Sequence, residues 1–199
     1  MHVSDIRADL ADEQDDLDAV VADLTPEQWR LATPSPRWSV ADQIAHLTYF
    51  DEAAALAITD PDRFAAEAEK LWSHAADGDE AVDELTLGRY RRLAPDELLA
   101  AWRAARADLD AAAATLADDD RVPWYGPSMG AKSFLTARLM ETWAHGVDIR
   151  DAIGVPPPAT ARLAHIARLG FITRAWSYVN RGLEPPDDPV RVELTAPSG

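Results

Sequence analysis

The spacing of apolar residues predicts a chain made almost entirely of helices. In five long stretches apolar residues recur every three or four positions, which is the repeat of one face of an α-helix. These stretches cover residues 3–23, 40–58, 95–116, 131–153 and 159–181. Between them, the sequence predicts a short helix from Pro26 and a poorer helical pattern over residues 60–93. Several amphipathic helices of this length are expected to pack around a common core.

Capping residues and helix breakers support these boundaries. Ser39 is a favourable N-cap for the helix that starts at Val40, and Gly154 is a typical stop for the helix of residues 131–153. Residues 121–130 contain two prolines and two glycines together with Trp124 and Tyr125. This composition predicts a loop without regular structure that could line a pocket.

The C-terminal segment has a different pattern. From Val190 to Thr195 apolar and polar residues alternate, which predicts a β-strand. A strand needs a partner, and we found no other convincing strand in the sequence. We therefore expect residues 1–183 to form a helical domain. Residues 184–199 would be a linker followed by the start of a β-containing domain, or a tail that pairs between chains.

Composition and charge exclude several classes of function. The 199 residues include 35 acidic and 19 basic side chains, and the formal charge of −16 disfavours binding to nucleic acid or to anionic membranes. The sequence has neither a basic and apolar leader nor a long apolar run, so we expect a cytoplasmic protein. Because the chain has no cysteine, any sulfur chemistry must use a thiol supplied by a small molecule.

Three residues are candidates for a metal site. Glu141 and His145 lie four positions apart on one expected helix, so their side chains point in the same direction. If the helix that carries His46 packs beside it, two histidines and one carboxylate would converge, as in catalytic zinc and open iron sites. Two alternatives remain: Glu141 and His145 form a solvated ion pair, and His46 is a core histidine hydrogen-bonded to Asp42. In a metal site, Asp42 or Asp148 would accept the second imidazole N–H.

Two segments together resemble a known family. The sequences of residues 38–47 and 137–149 are similar to the metal-binding N-terminal domain of mycothiol-dependent maleylpyruvate isomerases. The resemblance implies an all-α, DinB-like four-helix bundle with extra short helices. It also implies that His46, Glu141 and His145 hold a divalent metal, usually Zn²⁺, with Ni²⁺ or Fe²⁺ as alternatives. Mycothiol would be the co-substrate.

The function expected from this resemblance is a thiol-dependent transfer or isomerisation of a small electrophilic molecule. Its partners would be a small-molecule thiol and a substrate, and DinB-like bundles often pair as homodimers. Arg138 or Arg150 could hold an anionic group of the substrate. Two alternatives keep the metal: a hydrolase that activates water, and a binding module that performs no catalysis.

Overall fold

A computed structural model describes residues 1–195 and contains eight α-helices and a two-stranded antiparallel hairpin. The helices are α1 (Val3–Val21), α2 (Val40–Thr59), α3 (Pro61–Ala75), α4 (Asp79–Leu87), α5 (Pro95–Ala113), α6 (Ala131–Ile153), α7 (Leu163–Ile172) and α8 (Arg174–Val179). The strands of the hairpin are β1 (Arg121–Val122) and β2 (Met129–Gly130). The expected all-α fold class is therefore confirmed.

Four helices form the bundle that carries the candidate site. α2 packs against α5 and α6, while α1 packs against the same two helices. The core between them is apolar and includes the fully buried Ile44, Leu47, Trp102 and Ile149. This arrangement is the expected four-helix bundle, and it places α2 beside α6 as the candidate site requires.

Local capping fixes the ends of the two helices that matter most. At the start of α2, Ser39 Oγ accepts a hydrogen bond from the backbone N–H of Asp42. The Asp42 carboxylate in turn accepts one from the backbone N–H of Ser39 at 2.9 Å. Such reciprocal capping satisfies N–H groups that have no partner within the helix. α6 ends at Gly154, whose φ of 74° lies in the left-handed region that favours glycine.

The region between α1 and α5 differs from the prediction in detail. The helix expected from Pro26 is only a 3₁₀ turn, Gln28–Arg30. The weak pattern of residues 60–93 forms α3 and α4, separated at Gly78, whose φ is 99°. Trp72 on α3 is 56% exposed. Its exposure agrees with the strongly amphipathic pattern of α3, which buries Phe64 and Leu71 on the other face.

The loop at residues 121–130 is more regular than its composition suggested. Arg121 pairs with Gly130 and Val122 with Met129, which makes a short antiparallel hairpin. The Arg121 side chain donates to Ser128 Oγ at 3.0 Å, which ties the two sides together. The hairpin leads directly into α6 and holds the aromatic residues of the loop close to the start of that helix.

A second compact unit begins at Pro158. The helix expected over residues 159–181 is interrupted at Thr173, so it forms α7 and α8. Thr173 has φ −93° and ψ 2°, and its hydroxyl donates to the Leu169 carbonyl. Trp176 and Val179 on α8 are 59% and 61% exposed.

The expected strand at residues 190–195 is not formed. These residues have no regular secondary structure and no strand partner within residues 1–195. The alternating side chains of Val190, Val192 and Leu194 instead line a hollow beside α7. The end of the predicted C-terminal segment, residues 196–199, lies outside the described residues. None of the helices within residues 1–195 is long and apolar enough to cross a membrane.

Candidate metal centre

The structure brings together the three side chains proposed as metal ligands. His46 projects from α2, while Glu141 and His145 project from successive turns of α6. Glu141 Oε2 lies 3.3 Å from His46 Nε2 and 3.3 Å from His145 Nε2. One ligand atom from each residue lies within 4.8 Å of the others. The three residues therefore form a compact set of two nitrogen donors and one oxygen donor.

These distances fit a bound divalent cation. Two donors that each lie about 2.1 Å from a tetrahedral metal are about 3.4 Å from one another. The two spacings of 3.3 Å to Glu141 Oε2 come close to that value without any movement of the backbone. Two imidazoles and a carboxylate also match the donor preference of Zn²⁺ and of open Fe²⁺ sites.

The convergence argues against both alternatives that spacing alone left open. Glu141 interacts with a histidine on each of two helices, which a solvated pair along one helix does not require. Asp42 does not hold His46, because its carboxylate caps α2 and accepts a hydrogen bond from Arg91 Nε at 2.7 Å.

Aromatic rings enclose the histidines. The Trp38 ring centroid lies 5.0 Å from that of His46 and 5.9 Å from that of His145. Phe50 also packs against His46, with a centroid distance of 4.5 Å. The side chains of His46 and His145 are 16% and 15% exposed, and that of Glu141 is 32% exposed. Glu141 is therefore the most exposed of the three side chains, and none of the three is fully buried.

The local electrostatics favour the protonation states that a metal requires. Burial lowers the pKa of His46 to about 4, although its hydrogen bond with Glu141 acts in the opposite direction. Burial alone would raise the pKa of Glu141. Hydrogen bonds with His145 and His46, together with the charge of Arg138, nevertheless hold it well below its usual range. A neutral imidazole and an ionised carboxylate are the forms that ligate metals.

The residue that contacts the second nitrogen of His145 is one that sequence reasoning missed. We expected Asp42 or Asp148 in this role, but His145 Nδ1 is hydrogen-bonded to Gln43 Oε1. Asp148 contacts the Gln43 amide instead, at 3.1 Å. The available signal was a polar residue at an inward position of α2, three residues before His46.

The two arginines considered for substrate binding are occupied by other contacts. Arg138 is buried and donates to the fully buried Asp51 at 3.3 Å. Arg150 donates to the backbone carbonyl of Asp16 at 3.2 Å. Arg138 therefore links α6 to α2 inside the bundle, and Arg150 links α6 to α1. The expectation that either one holds a substrate anion is not supported.

A pocket of about 450 Å³ reaches His145 from the surface. Its walls come from the turn before α2 and from α4 and include Ser35, Arg37, Trp38 and Asp83. Arg37 has φ 69°, unusual for a residue with a side chain, and its guanidinium lies 3.2 Å from Asp83. The pocket therefore combines an aromatic wall with hydrogen-bonding groups and a paired charge at its rim.

The loop of residues 121–130 lines a different cavity. Tyr125 and Tyr49 both line a space of about 430 Å³ that α2 and α3 border. Trp124 stacks on Phe64, with ring centroids 5.5 Å apart and planes 3° apart. The expectation that this loop could line a pocket is met by Tyr125, whereas Trp124 packs against Phe64.

Comparison with known proteins supports the resemblance seen in the sequence. Residues 10–150 match the family model described as the mycothiol maleylpyruvate isomerase N-terminal domain. That match covers more than half of the chain and contains all three residues of the candidate centre. The family expected from the two sequence segments is thereby confirmed.

Individual relatives extend the comparison. Two uncharacterized proteins, from two strains of Mycobacterium tuberculosis, are 45% identical over 192 residues, which is 96% of this chain and 73% of each relative. Two crystal structures of a mycothiol-dependent maleylpyruvate isomerase, one of them a mutant, match with TM-scores of 0.69. They share 14% and 15% sequence identity with this chain, and each match covers 92% of this chain and 73% of theirs. At that identity the match establishes the fold.

Proposed function

Because the chain belongs to the mycothiol maleylpyruvate isomerase N-terminal domain family, we propose that it is a metal-dependent enzyme acting on a small electrophilic molecule with a small-molecule thiol. The observation that carries the proposal is the convergence of His46, Glu141 and His145 beside a pocket open to solvent. By family, mycothiol is the thiol and isomerisation or transfer is the reaction.

The chemistry follows from a centre with three protein ligands. A divalent cation such as Zn²⁺, when bound there, leaves at least one position open and lowers the pKa of a thiol or water in that position. The absence of cysteine from the chain means that the sulfur nucleophile must come from the bound thiol. The protein's own part is to hold the cation and to position the reactants.

The pocket beside His145 supplies the positioning. Trp38 forms a wall that lies against both histidines and limits the access of water to them. Ser35 lies at the pocket surface, where its hydroxyl donates to Asp148 and can still accept a hydrogen bond, and the charge of Arg37 is already balanced by Asp83. Such a surface suits a polar, uncharged molecule that brings its thiol to the metal. We assign this pocket to the thiol.

Elemental analysis of protein purified without an affinity tag tests the metal centre. We expect close to one equivalent of zinc, nickel or iron in the wild type and a loss of that metal in His145→Ala. The matched control is His74→Ala, which removes an exposed histidine on α3 and should retain the metal. A wild-type protein that binds no metal, even after loading, would refute the proposal.

Turnover in the presence and absence of thiol tests the reaction. We expect isomerisation of maleylpyruvate, or transfer to a related electrophile, that requires both the metal and mycothiol. Hydrolysis of esters, amides or phosphoesters without added thiol would contradict the thiol requirement and favour activation of water. Tight thiol binding without turnover on any electrophile tested would instead favour a binding module without catalysis.

A further inference from the structure

We infer that Gln43 is a positioning residue that fixes the tautomer of His145, so that Nε2 is the nitrogen available to a metal. The inference rests on the proposed metal centre. Gln43 is fully buried on α2, one turn before His46, and lies across from His145 on α6. Its side chain makes hydrogen bonds with three groups, which are His145 Nδ1, Thr33 Oγ1 and Asp148 Oδ2.

The direction of each hydrogen bond is set by the groups around Gln43. The Thr33 hydroxyl donates to the Trp38 carbonyl at 3.0 Å, so it can only accept from Gln43. Gln43 Nε2 donates to this oxygen at 2.8 Å. It also donates at 3.1 Å to Asp148 Oδ2, which accepts from Ser35 Oγ at 2.5 Å. Both N–H bonds of the amide are therefore committed to acceptors.

The orientation of the amide then determines the state of the imidazole. With Nε2 turned towards Thr33 and Asp148, Gln43 Oε1 must face His145 and can only accept. The proton of neutral His145 therefore resides on Nδ1. Nε2 lies 3.3 Å from Glu141 Oε2, and a metal bound between these two atoms would replace their hydrogen bond and use the Nε2 lone pair. Gln43 thus fills the role that a carboxylate or carbonyl usually plays behind a metal-bound histidine.

Nuclear magnetic resonance of the metal-free protein tests the tautomer directly. Long-range ¹H–¹⁵N correlation at mildly alkaline pH distinguishes a proton on Nδ1 from one on Nε2. We expect wild-type His145 to carry it on Nδ1 and Gln43→Leu to show the Nε2–H form. Wild-type protein with the Nε2–H form would overturn the inference, and this measurement does not depend on any metal.

Zinc affinity, measured by competition with a chelator, is the second readout. Loss of a residue behind a metal ligand typically weakens metal binding by about 10- to 100-fold, and we expect Gln43→Leu to raise the zinc Kd by this factor. Thr33→Val removes one of the two acceptors that orient Gln43, so it should raise the Kd less. Should Gln43→Leu fail to fold, Thr33→Val still provides the test.

A matched control separates this role from the general cost of removing a buried amide. Gln14 is a buried glutamine on α1 that donates to Asp51 and belongs to a different network. Gln14→Leu should leave both the His145 tautomer and the zinc Kd unchanged. Equal zinc affinity in wild type and Gln43→Leu would refute the positioning role. Absence of zinc binding in the wild type would refute the proposed metal centre and leave the tautomer measurement to decide on Gln43.

Discussion

The buried pair between Arg138 and Asp51 allows a quantitative prediction of stability. Arg138→Met keeps most of the side-chain volume but leaves the Asp51 carboxylate, which is fully buried, without its guanidinium partner. Removing one partner of a buried ion pair typically costs about 3–5 kcal/mol. Burial already raises the pKa of Asp51, while the charge of Arg138 acts in the opposite direction. In the variant, the carboxyl should therefore take up a proton.

Proton uptake limits the loss of stability and makes it depend on pH. At pH 7, about three units above the ordinary carboxyl pKa, protonation costs about 4 kcal/mol. At pH 5 the same step costs about 1.5 kcal/mol. An acid with a raised pKa in the folded state destabilises that state above the unfolded pKa, and this penalty is relieved on acidification. The deficit of Arg138→Met relative to wild type should therefore shrink as the pH falls.

Urea unfolding with a chelator present measures this deficit at several pH values. We expect the difference in unfolding free energy between wild type and Arg138→Met to shrink by about 1.4 kcal/mol for each pH unit of acidification. This holds over the pH range in which Asp51 is ionised in the wild type and neutral in the variant. The double variant Asp51→Asn, Arg138→Met has no carboxyl group at position 51. Its difference in unfolding free energy from wild type should therefore not change by about 1.4 kcal/mol per pH unit. A deficit in Arg138→Met that is equal at pH 5 and pH 7 would refute the reasoning.

Three further predictions concern other parts of the bundle. Because burial lowers the pKa of His46 to about 4, the metal-free protein should lose stability as the pH falls from about 6.5 towards 4. The His46→Gln variant should lose less stability over the same range, and urea unfolding midpoints at each pH measure both losses. Gly146→Ala places a methyl group 3.6 Å from Leu17, which is an ordinary van der Waals contact. Thermal unfolding should therefore show a gain in stability of about 0.5–1 kcal/mol from the higher helix propensity of alanine, and a loss of stability would contradict this reading of the contact. Ser39→Ala removes the cap of α2 and should cost about 1 kcal/mol in the same assay, whereas an unchanged midpoint would show that the cap contributes nothing.

The bundle was predictable from sequence because its signals are local. The apolar repeats of α1, α2, α5 and α6 and the cap at Ser39 each lie within a few residues of the element they define. The errors fell where distant partners decide the outcome. The strand expected at residues 190–195 has no pairing partner within the described chain. The β1–β2 hairpin was missed for another reason, because its two-residue strands are too short to show an alternating pattern.

For the candidate site, the sequence predicted the three side chains but not the residues that contact them. The four-residue spacing of Glu141 and His145 indicated the direction of both side chains, and His46 was a candidate if its helix packed beside theirs. The family resemblance then implied all three as metal ligands. The partners around them could not be inferred, because they depend on which residues of α2 face α6. Asp148 was expected to contact an imidazole but reaches it only through Gln43. Arg138 was expected at the substrate and instead pairs with Asp51.

The polar residues of α6 also constrain how this sequence can change in length. Arg138, Glu141, His145 and Asp148 follow one another at three- and four-residue spacing, and each meets a partner on α2. A single inserted or deleted residue between 138 and 148 would rotate everything beyond it by about 100° and separate these pairs together. Homologous sequences should therefore show gaps in the loop between β1 and β2, and the segment from 138 to 148 should keep its length.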